Sequence, residues 1–264
     1  MTGHLRRVGA LTLRYLLLVG RDPSRVLDVV YWPLVDVAVW AFLTLYVINA
    51  GAHVPNAIAV FVGAAILWNV FLRAAQDVSV SFLDDVWARS VVTLFASPLT
   101  VGEFGAATMA VGAVKALLTL GAMTMIAWPL YAFDLFSLGP SLVPFAANLV
   151  CFGWTLGLVA LSIIVRFGGR WMIVAYSMPF LVMPLSAVFW PVAVLPPPLQ
   201  RVAGALPLSH VFEGMRAVIA TGVLPPAQLA VATAENVVYL ALAAALVTRN
   251  FRRALERGSL PKLR

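Results

Sequence analysis

Apolar residues gather along the chain into six long stretches, over residues 27–50, 56–78, 104–128, 140–165, 171–194 and 229–248. Each reaches the ~20 residues that a helix needs to cross ~30 Å of hydrocarbon. The pattern predicts an all-α integral membrane fold with six transmembrane helices. Ahead of them, Arg7, Arg14 and Arg21 recur every seven residues and so share one helical stripe, while Leu5, Val8, Thr12, Tyr15 and Val19 fall on other, mostly apolar faces. This spacing predicts an N-terminal amphipathic helix lying in the plane of the membrane. Asp22-Pro23 ends it before the first span.

The stretch between the fifth and sixth spans breaks the regular alternation. Residues 195–226 are too many for a tight loop and too apolar for a solvated one; they open with Pro196-Pro197-Pro198 and close with Pro225-Pro226. Within them, residues 206–222 read as a short helix, with Ser209 as N-cap and Glu213/Arg216 as an i,i+3 pair. Apolar helices this short are more often re-entrant than spanning. The expectation is a re-entrant helix pair covering the mouth of the bundle, because non-helical backbone at that depth needs protein or a water cavity over it.

Composition agrees with the pattern. The chain is 62% hydrophobic and 11% charged, where a soluble domain carries about 25% charged residues. The net charge of +7 comes from basic residues at the ends of the apolar stretches, which suits anionic headgroups and topology signalling and gives no reason to invoke nucleic acid. With both ends in the cytoplasm, fourteen Lys and Arg fall inside and only Arg201 and Arg216 outside. That asymmetry predicts an N-in/C-in chain, and the Ala/Arg/Val-rich composition fits a bacterial inner membrane. Trp32 and Trp171 near inner ends, and Trp128 and Trp190 near outer ends, fit interfacial indoles. Arg14 interrupts the first apolar run, so no cleavable signal is expected. The regions are thus 1–26 as interface helix, 27–250 as transmembrane domain and 251–264 as basic tail. Cys151 is the single cysteine, and the scattered His4, His53 and His210 offer no zinc spacing.

Charges inside the spans carry the remaining chemistry. Asp36 and Lys115 lie near mid-depth of the first and third spans, where an unpaired charge costs at least ~2.5–3.5 kcal/mol. Either they meet in the bundle or a polar cavity, or Lys115 snorkels and Asp36 meets water. Arg73 and Asp77 form an i,i+4 pair at the inner edge. Glu235 either caps a polar path or is a plain interfacial residue. Gly153-x-x-x-Gly157 reads as close helix packing. Asp84 and Asp85 are adjacent, and adjacent helical side chains point ~100° apart, so they suit a docking surface better than a catalytic or metal-binding pair. Trp40, Phe180, Phe189 and Phe212 either line an apolar path for substrate or are core and lipid-facing residues.

The most polar internal segment, residues 79–103, reads SVSFLDDVWARSVVTLFASPLTVGE. As a helix over residues 82–95 it is amphipathic. Phe82, Val86, Val91, Leu94 and Phe95 alternate with Asp84, Asp85 and Arg89, ahead of Ser97-Pro98 and Glu103. This segment resembles the cytoplasmic loop of ABC-2-type permeases, the membrane subunits of type V ABC exporters. That loop has an acidic start, a basic residue, a leucine-rich turn, Ser-Pro and an acidic residue opening the next span. The likeness extends to Pro207, Glu213 and Arg216, to the amphipathic start and to the six spans with their re-entrant pair. The resemblance implies a homodimer bound to two cytoplasmic ATPase subunits, which hold ATP and Mg and drive an amphipathic substrate outward. It implies that the segment 79–103, with its helix over residues 82–95, supplies the coupling helix, with Phe82, Asp84, Asp85, Trp87, Arg89, Leu94, Ser97, Pro98 and Glu103 at the docking site.

The residues support part of this independently. A phosphate-binding loop needs Gly-Lys followed by Ser or Thr; the two lysines stand as Val114-Lys115-Ala116 and Pro261-Lys262-Leu263. The chain therefore holds no such loop, and energy from ATP must come through a partner. An intramembrane lipid-modifying enzyme would need convergent His/Asp groups or a nucleophile, and none is evident. A secondary transporter would be expected to show interrupted helices in repeated halves, and no repeat is evident.

Overall fold

The computed structural model describes residues 2–51, 56–131 and 135–256, and helix is the only regular structure among them. His53 and the basic tail residues Arg257, Lys262 and Arg264 lie outside the described residues. In chain order the helices are α1 (Thr2–Arg21), α2 (Pro23–Asn49), α3 (Ala57–Trp87), α4 (Val91–Ala96), α5 (Val101–Tyr131), α6 (Leu142–Phe167), α7 (Val174–Val182), α8 (Pro197–Ala203), α9 (Pro207–Thr221) and α10 (Pro226–Glu256).

Five stretches are long and apolar enough to cross a membrane: Pro23–Asn49, Ala57–Trp87, Val101–Pro129, Leu138–Phe167 and Pro226–Glu256. The chain is therefore a multi-pass membrane protein in outline. The expected fifth span, residues 171–194, is not one helix. A turn of 3-10 helix at Gly169–Trp171 leads into α7, and further 3-10 turns follow at Met183–Leu185 and Val192–Val194. The nine residues of α7 cover only ~14 Å. Pro184 and Pro191 sit at the breaks, within the 3-10 turn Met183–Leu185 and at the cap of Val192–Val194, where each lacks the amide donor a continuing helix needs, while Pro179 lies inside α7.

α3 and α6 form the centre and are the most buried of the five, while α2, α5 and α10 leave broad apolar faces open. Leu27, Tyr31, Trp32, Phe42 and Tyr46 of α2, and Val237, Val238 and Leu242 of α10, are exposed, as lipid-facing or partner-facing residues of a membrane bundle are. Gly153 and Gly157 set the crossing of the central pair. A Cβ on Gly153 would lie 2.7 Å from the Ala74 Cβ, and one on Gly157 2.5 Å from the Ala75 carbonyl oxygen. The small-xxx-small pattern is thus the packing element the spacing predicts.

This waist divides the interior into two apolar cores. One holds Phe71, Phe145, Phe152, Met215 and Phe212. The other holds Leu11, Tyr15, Phe82, Leu83, Phe104 and Phe251, at the end where α1 and α4 lie. Polar bonds lock α10 to α6 at both levels: Asn236 donates to Asn148 Oδ1 at 2.9 Å and Asn250 to Ser162 Oγ at 2.7 Å.

Candidate functional site

The last turns of α3 lie at the α1 end. Its 31 residues span ~46 Å, more than the ~30 Å of a hydrocarbon core. The helix expected over residues 82–95 is two helices. α3 stops at Trp87, Arg89 adopts a left-handed backbone with φ 56°, and α4 restarts at Val91. The Arg89 and Ser90 amides close the turn on the Val86 and Asp85 carbonyls, and the Ser90 hydroxyl donates to Asp85 Oδ1 at 2.7 Å. Ser97 ends α4 by donating to the Leu94 carbonyl at 2.6 Å.

The residues expected to dock a partner divide into two sets. Trp87, Arg89, Ser97 and Pro98 are exposed, and Leu94 is half-buried. Phe82, Asp85 and Glu103 are buried and engaged within the chain. Asp84 pairs with Arg25 of α2 at 2.5 Å, and Asp85 with Arg14 of α1 at 2.7 Å. Tyr15 also donates its hydroxyl to Asp85; burial and the neighbouring Asp85 push that hydroxyl well above its ordinary pKa, so it keeps its proton. The two carboxylates diverge, as adjacent helical positions must, but they brace the chain internally and present no free acidic surface. Glu103 accepts from the Thr100 amide at 2.8 Å and from Arg7 Nε at 2.8 Å. Thr100 Oγ1 accepts from the Glu103 amide in return, which completes a capping box. Arg7 and Arg14, expected to meet headgroups, thus tie α1 to α5 and α3. Leu11 and Tyr15 sink into the core beside them, and Leu5, Leu13 and Leu17 face outward.

Below this knob lies a charged cavity of about 560 Å³. α2 contributes Arg25, Asp28, Trp32 and Asp36; α3 contributes Asn69, Arg73, Asp77 and Asp84; Lys115, Tyr176 and Phe180 close it. Lys115 pairs with Asp77 at 2.7 Å, and Arg73 with Asp28 at 2.6 Å. Neither the i,i+4 pairing of Arg73 with Asp77 nor the direct pairing of Asp36 with Lys115 forms. Asp36 instead accepts from Asn69 Nδ2 at 2.9 Å. The physical reason is packing: α2, α3 and α5 lie against one another, and each long cation takes a carboxylate presented by a neighbouring helix. Asp36 and Lys115 do share the one cavity. Sequence reasoning passed over Asp28, Asn69 and Gln76. Their signal was present, because Arg25, Asp28, Trp32 and Asp36, and likewise Asn69, Arg73, Gln76 and Asp84, recur at helical spacing on one face.

At the opposite end, Glu213 and Arg216 pair at 3.2 Å. Arg216 donates to the Ala187 carbonyl at 2.7 Å and the Val188 carbonyl at 3.2 Å, and Glu213 accepts from the Val192 amide at 2.7 Å. Pro207 opens α9, whose N-cap is Leu206. Ser209 is therefore not the cap; it donates to the Ala203 and Leu206 carbonyls and closes the turn between α8 and α9. Glu235 stands 3.7 Å from His210. Phe189 stacks on Trp40 with ring centroids 3.5 Å apart, and Phe212 is fully buried. Of the four aromatics considered for a path, only Phe180 lines the cavity.

Among the described residues, no group of three or more His, Cys, Asp or Glu is placed to hold a metal ion. No family model matches the chain, and no curated protein matches it either.

Proposed function

We propose that the chain is the permease subunit of an exporter whose ATP and Mg are held by a separate cytoplasmic subunit. One observation carries this reading. Trp87, Arg89, Ser97 and Pro98 stand exposed on a small knob, and beneath it Phe95 of α4 lies 5.7 Å from Phe104 of α5 and 4.9 Å from Phe251 of α10, centroid to centroid. Phe82 of α3 contacts the same two rings. Packed rings resist compression, so a push on the knob reaches three long helices at once. That is what a membrane protein driven from outside the bilayer needs.

In this reading two ATPase copies seat on the knobs of two permease copies, with Phe82, Asp84, Asp85 and Glu103 as the braces behind the docking residues. α1 lies in the membrane plane and both chain ends face the cytoplasm of a bacterium. Residues 171–194 cross as a broken fifth span, and α8 and α9 form the re-entrant pair, with Pro207, Glu213 and Arg216 holding the outer gate. The substrate is an amphipathic molecule such as a lipid, a lipid-linked glycan or a drug.

The charged cavity gives secondary transport its own support, because ionisable groups at membrane depth mark ion pathways. Reconstitution separates the two. The exporter reading expects transport only when a partner ATPase subunit is present with ATP, and lower coupled ATPase activity in Trp87→Ala. Transport by the chain alone, driven by an ion gradient, would overturn it.

A further inference from the structure

The cavity between α2, α3 and α7 holds one carboxylate more than it holds cations. Arg25, Arg73 and Lys115 face Asp28, Asp36, Asp77 and Asp84. Each cation is already committed: Arg25 to Asp84 at 2.5 Å, Arg73 to Asp28 at 2.6 Å, Lys115 to Asp77 at 2.7 Å. The surplus charge is Asp36. Its partner is the neutral amide of Asn69, which donates to Oδ2, and the Asp36 side chain lines the cavity. Asp36 lies eleven residues beyond Arg25 along α2, ~16 Å deeper, where an uncompensated carboxylate is costly.

Asp77 Oδ2 and Arg73 Nε are both buried with no hydrogen-bond partner, but Lys115 neutralises Asp77 and Asp28 neutralises Arg73, so the surplus stays at Asp36. Aromatic rings complete the walls: Trp32, one turn before Asp36 on the same face, and Tyr176 and Phe180 across from it on α7. Ring faces attract a cation and also pack against its apolar body.

The geometry points to a binding site for an amphipathic organic cation, its positive centre at Asp36 and its apolar body against Trp32 and Phe180. A volume of about 560 Å³ lies within the range of drug-sized ligand pockets. A bare metal ion fits poorly, since no cluster of three ligating side chains is present among the described residues. The site belongs to this chain and does not rest on an ATPase partner; if the exporter reading holds, it names the class of substrate.

Equilibrium binding of radiolabelled tetraphenylphosphonium to the purified full chain in uncharged maltoside micelles tests it, with empty micelles subtracted. Saturable binding at one site per chain is expected. Asp36→Asn should weaken it at least tenfold, and Asp36→Glu should stay within about threefold of the parent, because the charge alone is retained. Tetraphenylborate, of the same shape and opposite charge, should show no saturable binding. Unchanged affinity in D36N, or equal saturable binding of the anion, would overturn the proposal. The cation and anion comparison on the unaltered protein needs no variant, so it decides the matter even if D36N fails to fold. A failure here leaves the ATP-dependent transport test untouched, and the reverse also holds.

Discussion

Arg14 donates to Asp85 across 2.7 Å, and that contact fastens the first helix of the chain to the final buried turn of the most buried one. Asp85 also accepts from Tyr15 and Ser90, so one carboxylate holds α1, the end of α3 and the turn into α4 together. Asp85→Ala leaves Arg14 and Tyr15 without their acceptor beside a buried position, while Ser90 keeps the Asp85 carbonyl. A loss of about 1–3 kcal/mol is expected, the usual cost of orphaning buried polar groups. Amide exchange should rise across residues 2–21 and leave α6 protected. Unchanged protection of α1 would show that its apolar face alone holds it.

The waist makes a sharper prediction. Gly157→Ala places a methyl 2.5 Å from the Ala75 carbonyl and 2.7 Å from the Val78 Cβ; backbone cannot step aside as a flexible side chain can. Overpacking of this kind costs about 1–3 kcal/mol or more, read as a lower midpoint of thermal unfolding. Gly121→Ala in α5 is the control. Nothing lies within 4 Å of its added Cβ, so helix propensity should make it neutral or stabilising by up to about 1 kcal/mol. Equal midpoints for the two variants would remove the close-packing account of α3 and α6.

Lys115 chooses Asp77 over Asp36, and a double-mutant cycle measures the choice. Lys115→Met with Asp77→Asn should show a coupling of at least about 1 kcal/mol in unfolding stability, while Lys115→Met with Asp36→Asn should be additive to within about 0.5 kcal/mol. The reverse ranking would restore the Asp36–Lys115 pair.

Period and composition made the helical class and most spans legible, because a helix of ~20 apolar residues in lipid has few alternatives. Gly153-x-x-x-Gly157 was legible for the same local reason. Pairing across helices was not. Periodicity says which face carries Arg73 or Asp77, but the partner depends on which helix lies alongside, and that is decided by packing over the whole bundle. Asp84 and Asp85 show the same gap: their charge suggested a free surface, and only the path of α1 reveals that Arg14 and Arg25 occupy them. The segment 171–194 failed differently. Its apolar content spans a membrane, but the helix gives way at Pro184 and Pro191, although it runs through Pro179.

Arg89 separates backbone from charge at the knob. Its φ of 56° disfavours any side chain, at roughly 1–2 kcal/mol relative to glycine. Arg89→Gly should therefore hold or raise thermal stability while it lowers coupled ATPase activity in the reconstituted complex. Full coupling in R89G would mean the guanidinium takes no part in docking.

Arg216 and Glu213 pin a segment that has few helical bonds of its own. Arg216 supports the Ala187 and Val188 carbonyls, and Glu213 the Val192 amide. Arg216→Met keeps the aliphatic stem but removes every donor, so both carbonyls lose their side-chain partner at a cost of about 1–3 kcal/mol. Glu213→Gln keeps a carbonyl oxygen for the Val192 amide and should cost less. The two variants are told apart by amide exchange over residues 186–195, which should accelerate strongly in R216M and weakly in E213Q, with α3 and α6 unaffected in both. If R216M leaves that segment as protected as before, the stacking of Phe189 on Trp40 is what holds it.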